Sequence, residues 1–368
     1  MAAARPNAMG GADRNSPAPD MTSPTPAKTP AQDTANPLLV EVTRGSQVES
    51  RHRAAVAVVD TAGKVVLAAG DTDRPVYPRS ANKSLQAIAL VESGAADAFE
   101  VSELELALAC ASHSGEPRHV TAVTAWLARV GLSPADLECG PQLPGYEPAL
   151  IDLLAGGGAA TAAHNNCSGK HSGFLTLARH LGAPTKGYIN YEHPVQQRIL
   201  GVLEAMTGLD LGNAPRGIDG CGIPVIGVPL GNLALAMARL GAPDDQPEAR
   251  QDACRRLRRA VAAHPFMVAG SGRFDTRVMA LTGEKAFIKT GAEGVYCAAL
   301  PGHGLGIAVK VDDGAGRAAE VIMGRLLAHF EILGAAEVEK LGGLFTAPVT
   351  NRAGSTVGEI RPAAQSPF

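Results

Sequence analysis

Along this chain the apolar positions fall into short continuous runs near the two ends and into longer helical stretches between them. Residues 54–60 and 65–69 are mostly apolar and flank Thr61-Ala62-Gly63-Lys64, which predicts an antiparallel hairpin closed by a tight turn. Late in the chain, 286–289, 294–300 and 305–311 repeat that form, joined by Pro301-Gly302-His303-Gly304 and closed by Asp312-Asp313-Gly314. Between these ends, 83–93 carries Leu85, Ile88, Ala89 and Val91 and reads as a helix that Gly94 stops. Further helices fit 102–111, 117–130, 170–181, 194–206, 230–240, 247–263 and 315–333. An early hairpin, a helical middle and a late strand meander predict an α+β fold. In it the N- and C-terminal segments pair in one antiparallel sheet and the helices pack over one cleft.

Composition narrows the class. A chain of 368 residues, 45% hydrophobic and 19% charged, can bury a large core, and no stretch is apolar for long enough to span a membrane. The net charge of -3 gives no electrostatic reason to expect nucleic acid or an anionic membrane as partner. The basic run Arg255-Arg256-Leu257-Arg258-Arg259 fits the solvated face of an amphipathic helix. Residues 1–37 are rich in Ala, Pro, Thr, Asn and Ser without periodicity, so they are expected to be a disordered extension preceding a catalytic domain over 38–368. They lack the apolar core of a secretory signal, which makes the cytoplasm the expected location. The six cysteines form no Cys-x-x-Cys pair, and reduced thiols are expected.

The chemistry starts at Arg79-Ser80-Ala81-Asn82-Lys83, a Ser-x-x-Lys pair, with Lys289-Thr290-Gly291 far downstream. Positions i and i+3 of a helix share a face, which brings a serine hydroxyl and a lysine amine within reach and predicts a serine acyl-enzyme that needs no histidine base. The lysine must then have its charged form disfavoured, because a pKa of about 10.4 leaves almost no free amine at neutral pH. Hydroxyl-x-x-lysine spacing also occurs at Thr25/Lys28, Thr61/Lys64 and Thr282/Lys285, so the surroundings decide its meaning. Residues 111–119 concentrate hydroxyls, imidazoles and a carboxylate between two helices. Ser114 and Glu116 there fit helix caps, while Ser112 fits a second hydroxyl that relays a proton to the leaving group. Lys289 is expected to help a substrate carboxylate and to depress the basicity of Lys83 by like charge.

A second polar cluster runs from His164 to Gly173 and is not a P-loop, because His171 follows Gly169-Lys170 and no glycine stands five residues before Gly169. It contains Cys167, and Asp219-Gly220-Cys221-Gly222 supplies another cysteine in a glycine-flanked turn. With His164, His171 or Asp219 as a further ligand, the two thiols would make a soft-donor metal site suited to zinc.

At these residues the chain resembles the rhizobial-type, class 3 L-asparaginases, serine/lysine enzymes related in fold to penicillin-recognising enzymes and serine glutaminases. The resemblance rests on Arg79-Ser80-Ala81-Asn82-Lys83, Cys110-Ala111-Ser112-His113-Ser114, Asn166-Cys167-Ser168-Gly169-Lys170-His171, Gly217-Ile218-Asp219-Gly220-Cys221 and His264-Pro265-Phe266-Met267-Val268-Ala269-Gly270. Arg273, Lys289, Gly291 and Val357-Gly358-Glu359-Ile360-Arg361-Pro362 follow in order, so it runs from about Leu38 to Pro362. It implies Ser80 as nucleophile with Lys83 as partner, and Ser112 coupled to Lys289. It also implies a zinc ion on Cys167, Lys170 and Cys221, which puts Lys170 where the residues alone suggested a histidine. His171 then stands beside the substrate or behind the zinc ligands, and Arg79 and Asp219 are candidates for binding the substrate's charged ends or for orienting a ligand. The implied reaction is hydrolysis of L-asparagine to L-aspartate and ammonia, by a chain expected to pair as a homodimer. The rival readings are a serine glutaminase or β-lactamase-like acyl hydrolase, and a non-catalytic zinc-stabilised amide-binding module. A self-cleaving threonine enzyme is disfavoured because only twelve residues follow Thr356.

Overall fold

Two strands, β1 (Leu38–Arg44) and β2 (Gln47–Asp60), pair antiparallel near the start of the described chain, and β3 (Val65–Ala69) turns back onto β2. The computed structural model describes residues 35–341, 346–364 and 366–368; the expected extension over 1–37 therefore lies outside the described residues except for its last three. From the far end of the sequence come β4 (Phe287–Thr290), β5 (Val295–Leu300), β6 (Leu305–Val311), β7 (Ala347–Thr350) and β8 (Thr356–Pro362). The sheet order is β7-β8-β1-β2-β6-β5-β4, with β3 paired to β2 off that path. Every pairing is antiparallel, and the two ends meet twice: Leu305–Val311 runs against Asp60–Ala54, and Val40 pairs with Pro362. The α+β fold built from both ends of the sequence is therefore the one observed.

The apolar runs have a physical cause. Ala54–Val59 on β2 and Leu305–Val309 on β6 are buried without interruption, since helices α6 (Leu230–Gly241) and α9 (Gly316–His329) both pack against β6. The fit under α6 is tight: a Cβ on Gly306 would lie 1.9 Å from the Ala234 carbonyl oxygen. Strand residues 47–53 alternate exposed and less exposed positions instead, and the sequence pattern did not reveal them or β1, β7 and β8. The helical middle comprises α1 (Lys83–Glu92), α2 (Glu103–Ala109), α3 (Pro117–Arg129), α4 (Ser168–His180), α5 (Pro194–Thr207) and α7 (Glu248–Ala263), each close to its predicted span. Helix α8 (Phe274–Thr282) was not predicted. Helix α1 is central, buried from Lys83 to Val91, with α4, α5 and α7 around it. No helix among the described residues is long and apolar enough to cross a membrane.

Candidate active site

Ser80 sits in a single 3-10 turn, Arg79–Asn82, that leads into α1. Arg79 opens that turn in the left-handed region at φ 50°, a conformation that costs a non-glycine residue of order 1 kcal/mol and is held here by the Asp219 carboxylate. Ser80 lines a cleft of about 240 Å³, together with Ser112, His113, Ser114, Gln142, Gly145, Asn166, Arg273 and residues 290–292. No turn or loop hydrogen bond of the described chain takes up the backbone N–H groups of Ser80 and Ala292, which both border this cleft.

Lys83 was expected to bond Ser80, but it reaches elsewhere. Its amine donates to the Ala111 carbonyl at 2.5 Å and to Ser112 Oγ at 2.9 Å. Lys289 donates to the same Ser112 Oγ at 2.9 Å and to the Thr290 carbonyl at 2.8 Å. Two amines thus converge on one hydroxyl, and both are fully buried. Burial pushes the Lys289 amine down to about 7, against the pull of the Asp275 carboxylate and with the help of the Lys83 and Arg273 charges. Burial also lowers Lys83, aided by Lys170 and opposed by the thiols of Cys167 and Cys221. Two of the three donors of a charged Lys289 are thus engaged, and Lys289 is not among the residues that line the cleft.

Cys167, Lys170 and Cys221 meet behind Lys83. Cys167 caps the start of α4, and Cys221 lies in the turn of a two-stranded hairpin, Arg216–Ile218 with Pro224–Ile226. The Lys170 amine donates to Cys221 Sγ at 3.0 Å, and all three side chains are buried. A hydrogen bond from Cys221 holds the Cys167 thiol well below its ordinary range; burial opposes this, and the Lys170 and Lys83 charges reinforce it. Cys221, the proton donor of the pair, is correspondingly raised. The Cys167 thiol also stands 2.9 Å from Asn166 Oδ1, and two thiols beside an amine form a soft sulfur and nitrogen donor set of the kind that suits zinc. Among the described residues no three His, Cys, Asp or Glu side chains gather as a metal site, and the amine beside the two thiols is that of Lys170.

The model of the family described as L-asparaginase II matches residues 40–362, nearly the whole of the described chain. The chain belongs to the L-asparaginase II family. This places it with the asparaginase-type amidohydrolases and hydrolases. No curated protein matches it. Among solved structures it is similar to a protein called Mglu, at 15% identity and a TM-score of 0.43 over 76% of this chain and 67% of that one. It is also similar to a putative β-lactamase from Bacteroides dorei, at 14% identity and a TM-score of 0.40 over 70% and 84%. A D-alanine carboxypeptidase from Burkholderia cenocepacia gives 14% identity and a TM-score of 0.37 over 77% and 93%.

The remaining expected site residues of this L-asparaginase II chain lie around the cleft rather than in it. Arg79 Nε and Nη2 both reach Asp219 Oδ1 at 2.8 Å, and the pair borders a narrow neighbouring cavity with Asn82 and Gln86. Burial raises the Asp219 carboxyl, but Lys170, the Gly220 N–H and Arg79 outweigh it and hold the group below its usual range. His171, expected beside the substrate, is wholly buried, with Nδ1 2.8 Å from the Tyr188 hydroxyl, and does not line the cleft.

Three residues shape the site beyond what the sequence showed: Glu116 fitted only a helix cap, Arg273 stood only in the resemblance, and Asp275 went unread. Asp275, at the start of α8, accepts the Thr290 N–H at 2.9 Å and the Tyr296 hydroxyl at 2.7 Å, tying that helix to the strand that carries Lys289. Glu116 accepts the Ser114 hydroxyl at 2.6 Å and both the N–H and hydroxyl of Ser271 at 2.7 Å. Arg273 lines the cleft itself. The signal for Arg273 and Asp275 was the run Gly270-Ser271-Gly272-Arg273-Phe274-Asp275, polar and glycine-rich between apolar stretches.

Proposed function

We propose that this chain is an L-asparaginase that hydrolyses the side-chain amide of L-asparagine to L-aspartate and ammonia through an acyl group on Ser80. The observation that carries the reading is the pair of buried amines on Ser112 Oγ, beside Ser80, in a chain of the L-asparaginase II family. An amine held near pH 7 by burial supplies free base under ordinary conditions. Ser80 attacks the amide carbon and passes its proton to Ser112, whose own proton moves to the neutral amine of Lys83 or Lys289. The backbone N–H groups of Ser80 and Ala292 face the carbonyl oxygen as it gains charge, a stabilisation of roughly 3 to 4 kcal/mol per well-placed donor. The protonated amine then returns its proton through Ser112 to departing ammonia. Water enters the vacated place and cleaves the ester, with the same groups reversing their roles.

Cys167, Lys170 and Cys221 would hold one zinc ion per chain, and ligation would require both thiols to give up their protons, a step for which the lowered Cys167 thiol is already poised. When bound, the ion would fix these loops and lend positive charge beside Lys83. Lys170, raised by the two thiols against the effect of burial, would have to lose its proton to ligate.

Ammonia release from L-asparagine and from L-glutamine, with peptide mapping of a trapped acyl-enzyme by mass spectrometry, tests the proposal. Absence of ammonia from either amide would leave the binding-module reading in its place. A second reading, acylation of Ser112, is favoured by the two amines on its hydroxyl, and label on the Ser112 peptide would replace Ser80 with it.

A further inference from the structure

Of four cations around the reacting serines, Lys83, Lys289, Arg79 and Arg273, three are engaged. Lys83 is spent on Ala111 and Ser112, Lys289 on Ser112 and Thr290, and Arg79 on Asp219. Arg273 is the fourth. Arg273 lines the cleft with Ser80 and Ser112, and no carboxylate of the described residues lies within 4.0 Å of its guanidinium, while its charge acts on the Glu320 carboxyl from further off.

The backbone that presents Arg273 is fixed from both sides. Upstream, Ser112 N–H donates to the Val268 carbonyl at 2.8 Å, and Ser271 is clamped to Glu116 through two bonds of 2.7 Å. At Gly270, φ is +105° and a Cβ would fall 1.8 Å from Ser114 Oγ, so this loop presses directly on the segment that carries Ser112. Downstream, Arg273 is the N-cap of α8, and Asp275 ties the first turn of that helix to Thr290 and Tyr296. The guanidinium root is therefore held against both the Ser112 loop and the Lys289 strand. A clamp whose geometry is set before the ligand arrives loses less entropy on binding and orients it better.

We infer that Arg273 binds the α-carboxylate of the amino-acid substrate and so selects amides that carry that group. The inference rests on the asparaginase reading above. A guanidinium offers a planar fork that matches a carboxylate with two parallel hydrogen bonds, which a lysine cannot reproduce. The Arg273 clamp, with the serines at the reacting end, would orient the side-chain amide toward Ser80.

The test compares two reactions in the full-length protein. One is ammonia release from L-asparagine, and the other is enzyme acylation by p-nitrophenyl acetate, an ester with no carboxylate. In Arg273→Ala the ratio of kcat/KM on asparagine to the acylation rate should fall roughly 10- to 150-fold, the worth of a hydrogen bond to a charged group, mostly through KM. Arg273→Lys should lie between that variant and wild type, and Arg273→Gln replaces Arg273→Ala if the latter does not fold. An unchanged ratio, whether both reactions fall together or neither does, overturns the assignment to Arg273 while leaving the asparaginase reading intact. Wild-type protein that is acylated by the ester but releases no ammonia from asparagine overturns the asparaginase reading and this inference with it.

Discussion

The charge on Lys289 sets the pH range in which the two-amine arrangement can work, and Asp275→Asn perturbs it without removing a reacting group. With the amine pushed down to about 7, about half of it is free base at neutral pH, whereas its ordinary value of 10.5 would leave about one part in 3,000. Because the neutral form is the useful one, ammonia release should rise with pH through about 7, fall tenfold per unit well below it, and level off above about 8. Asp275 is the principal group favouring the charged form of Lys289. The substitution keeps an acceptor for the Thr290 N–H but removes that charge, so the ammonium becomes less favourable and the acid limb moves to lower pH. A unit charge at an effective dielectric near 20 is worth about 1.4 kcal/mol even at roughly 12 Å, so the displacement should be about one pH unit. The assay is a pH profile of kcat for L-asparagine from pH 5 to 10, run on both proteins with their folded state checked by circular dichroism. A wild-type midpoint above pH 9, or a limb that moves upward in Asp275→Asn, would refute Lys289 as the working base.

Three further outcomes are expected. Lys83→Ala, which removes one of the two amines on Ser112, should abolish measurable turnover, a loss of about 100- to 10,000-fold or more for a proton-transfer group, with the fold retained; an active variant would remove Lys83 from the scheme. Wild-type protein should carry one zinc per chain in a metal assay and Cys167→Ser should lose it; full zinc content in that variant would eliminate the Cys167, Lys170 and Cys221 site. Gly306→Ala drives a methyl group to within 1.9 Å of the Ala234 carbonyl and should cost at least about 3 kcal/mol in urea unfolding, a figure that a mutant as stable as wild type would contradict.

What could be read from the sequence follows from what each segment touches. Residues 54–60 and 305–311 stood out because both faces of the sheet are covered there, so nothing polar interrupts them. Residues 47–53 were lost because one face meets solvent and carries Gln47, Glu49, Arg51 and Arg53, a polar composition that resembles a loop. Helix α8 was hidden by Ser271-Gly272-Arg273 before it and Thr282-Gly283-Glu284 after it, turn signals closer together than a helix normally tolerates. At the site, the identities of the serines and lysines were legible and their partnership was not. Local spacing pairs Ser80 with Lys83, but a buried amine goes where acceptors are, and Ala111 and Ser112 arrive from 28 and 29 positions away. Arg273 and Asp275 acquire their meaning only through contacts with the Ser112 loop and with Thr290, which no local pattern encodes.

The sheet order has a consequence for how the chain is made. Strand β2 emerges early from the ribosome, yet β6, which covers Ala54–Asp60 along its length, follows roughly 250 residues later. At bacterial-to-eukaryotic synthesis rates that is an interval of about 12 to 50 seconds, during which Ala54-Ala55-Val56-Ala57-Val58-Val59 has no partner except β3. Such a segment is β-prone, uncharged and free of proline, so the nascent chain should depend on holding factors until its last third appears. Slower translation of residues 61–304 should therefore lower soluble yield without altering the stability of the finished protein.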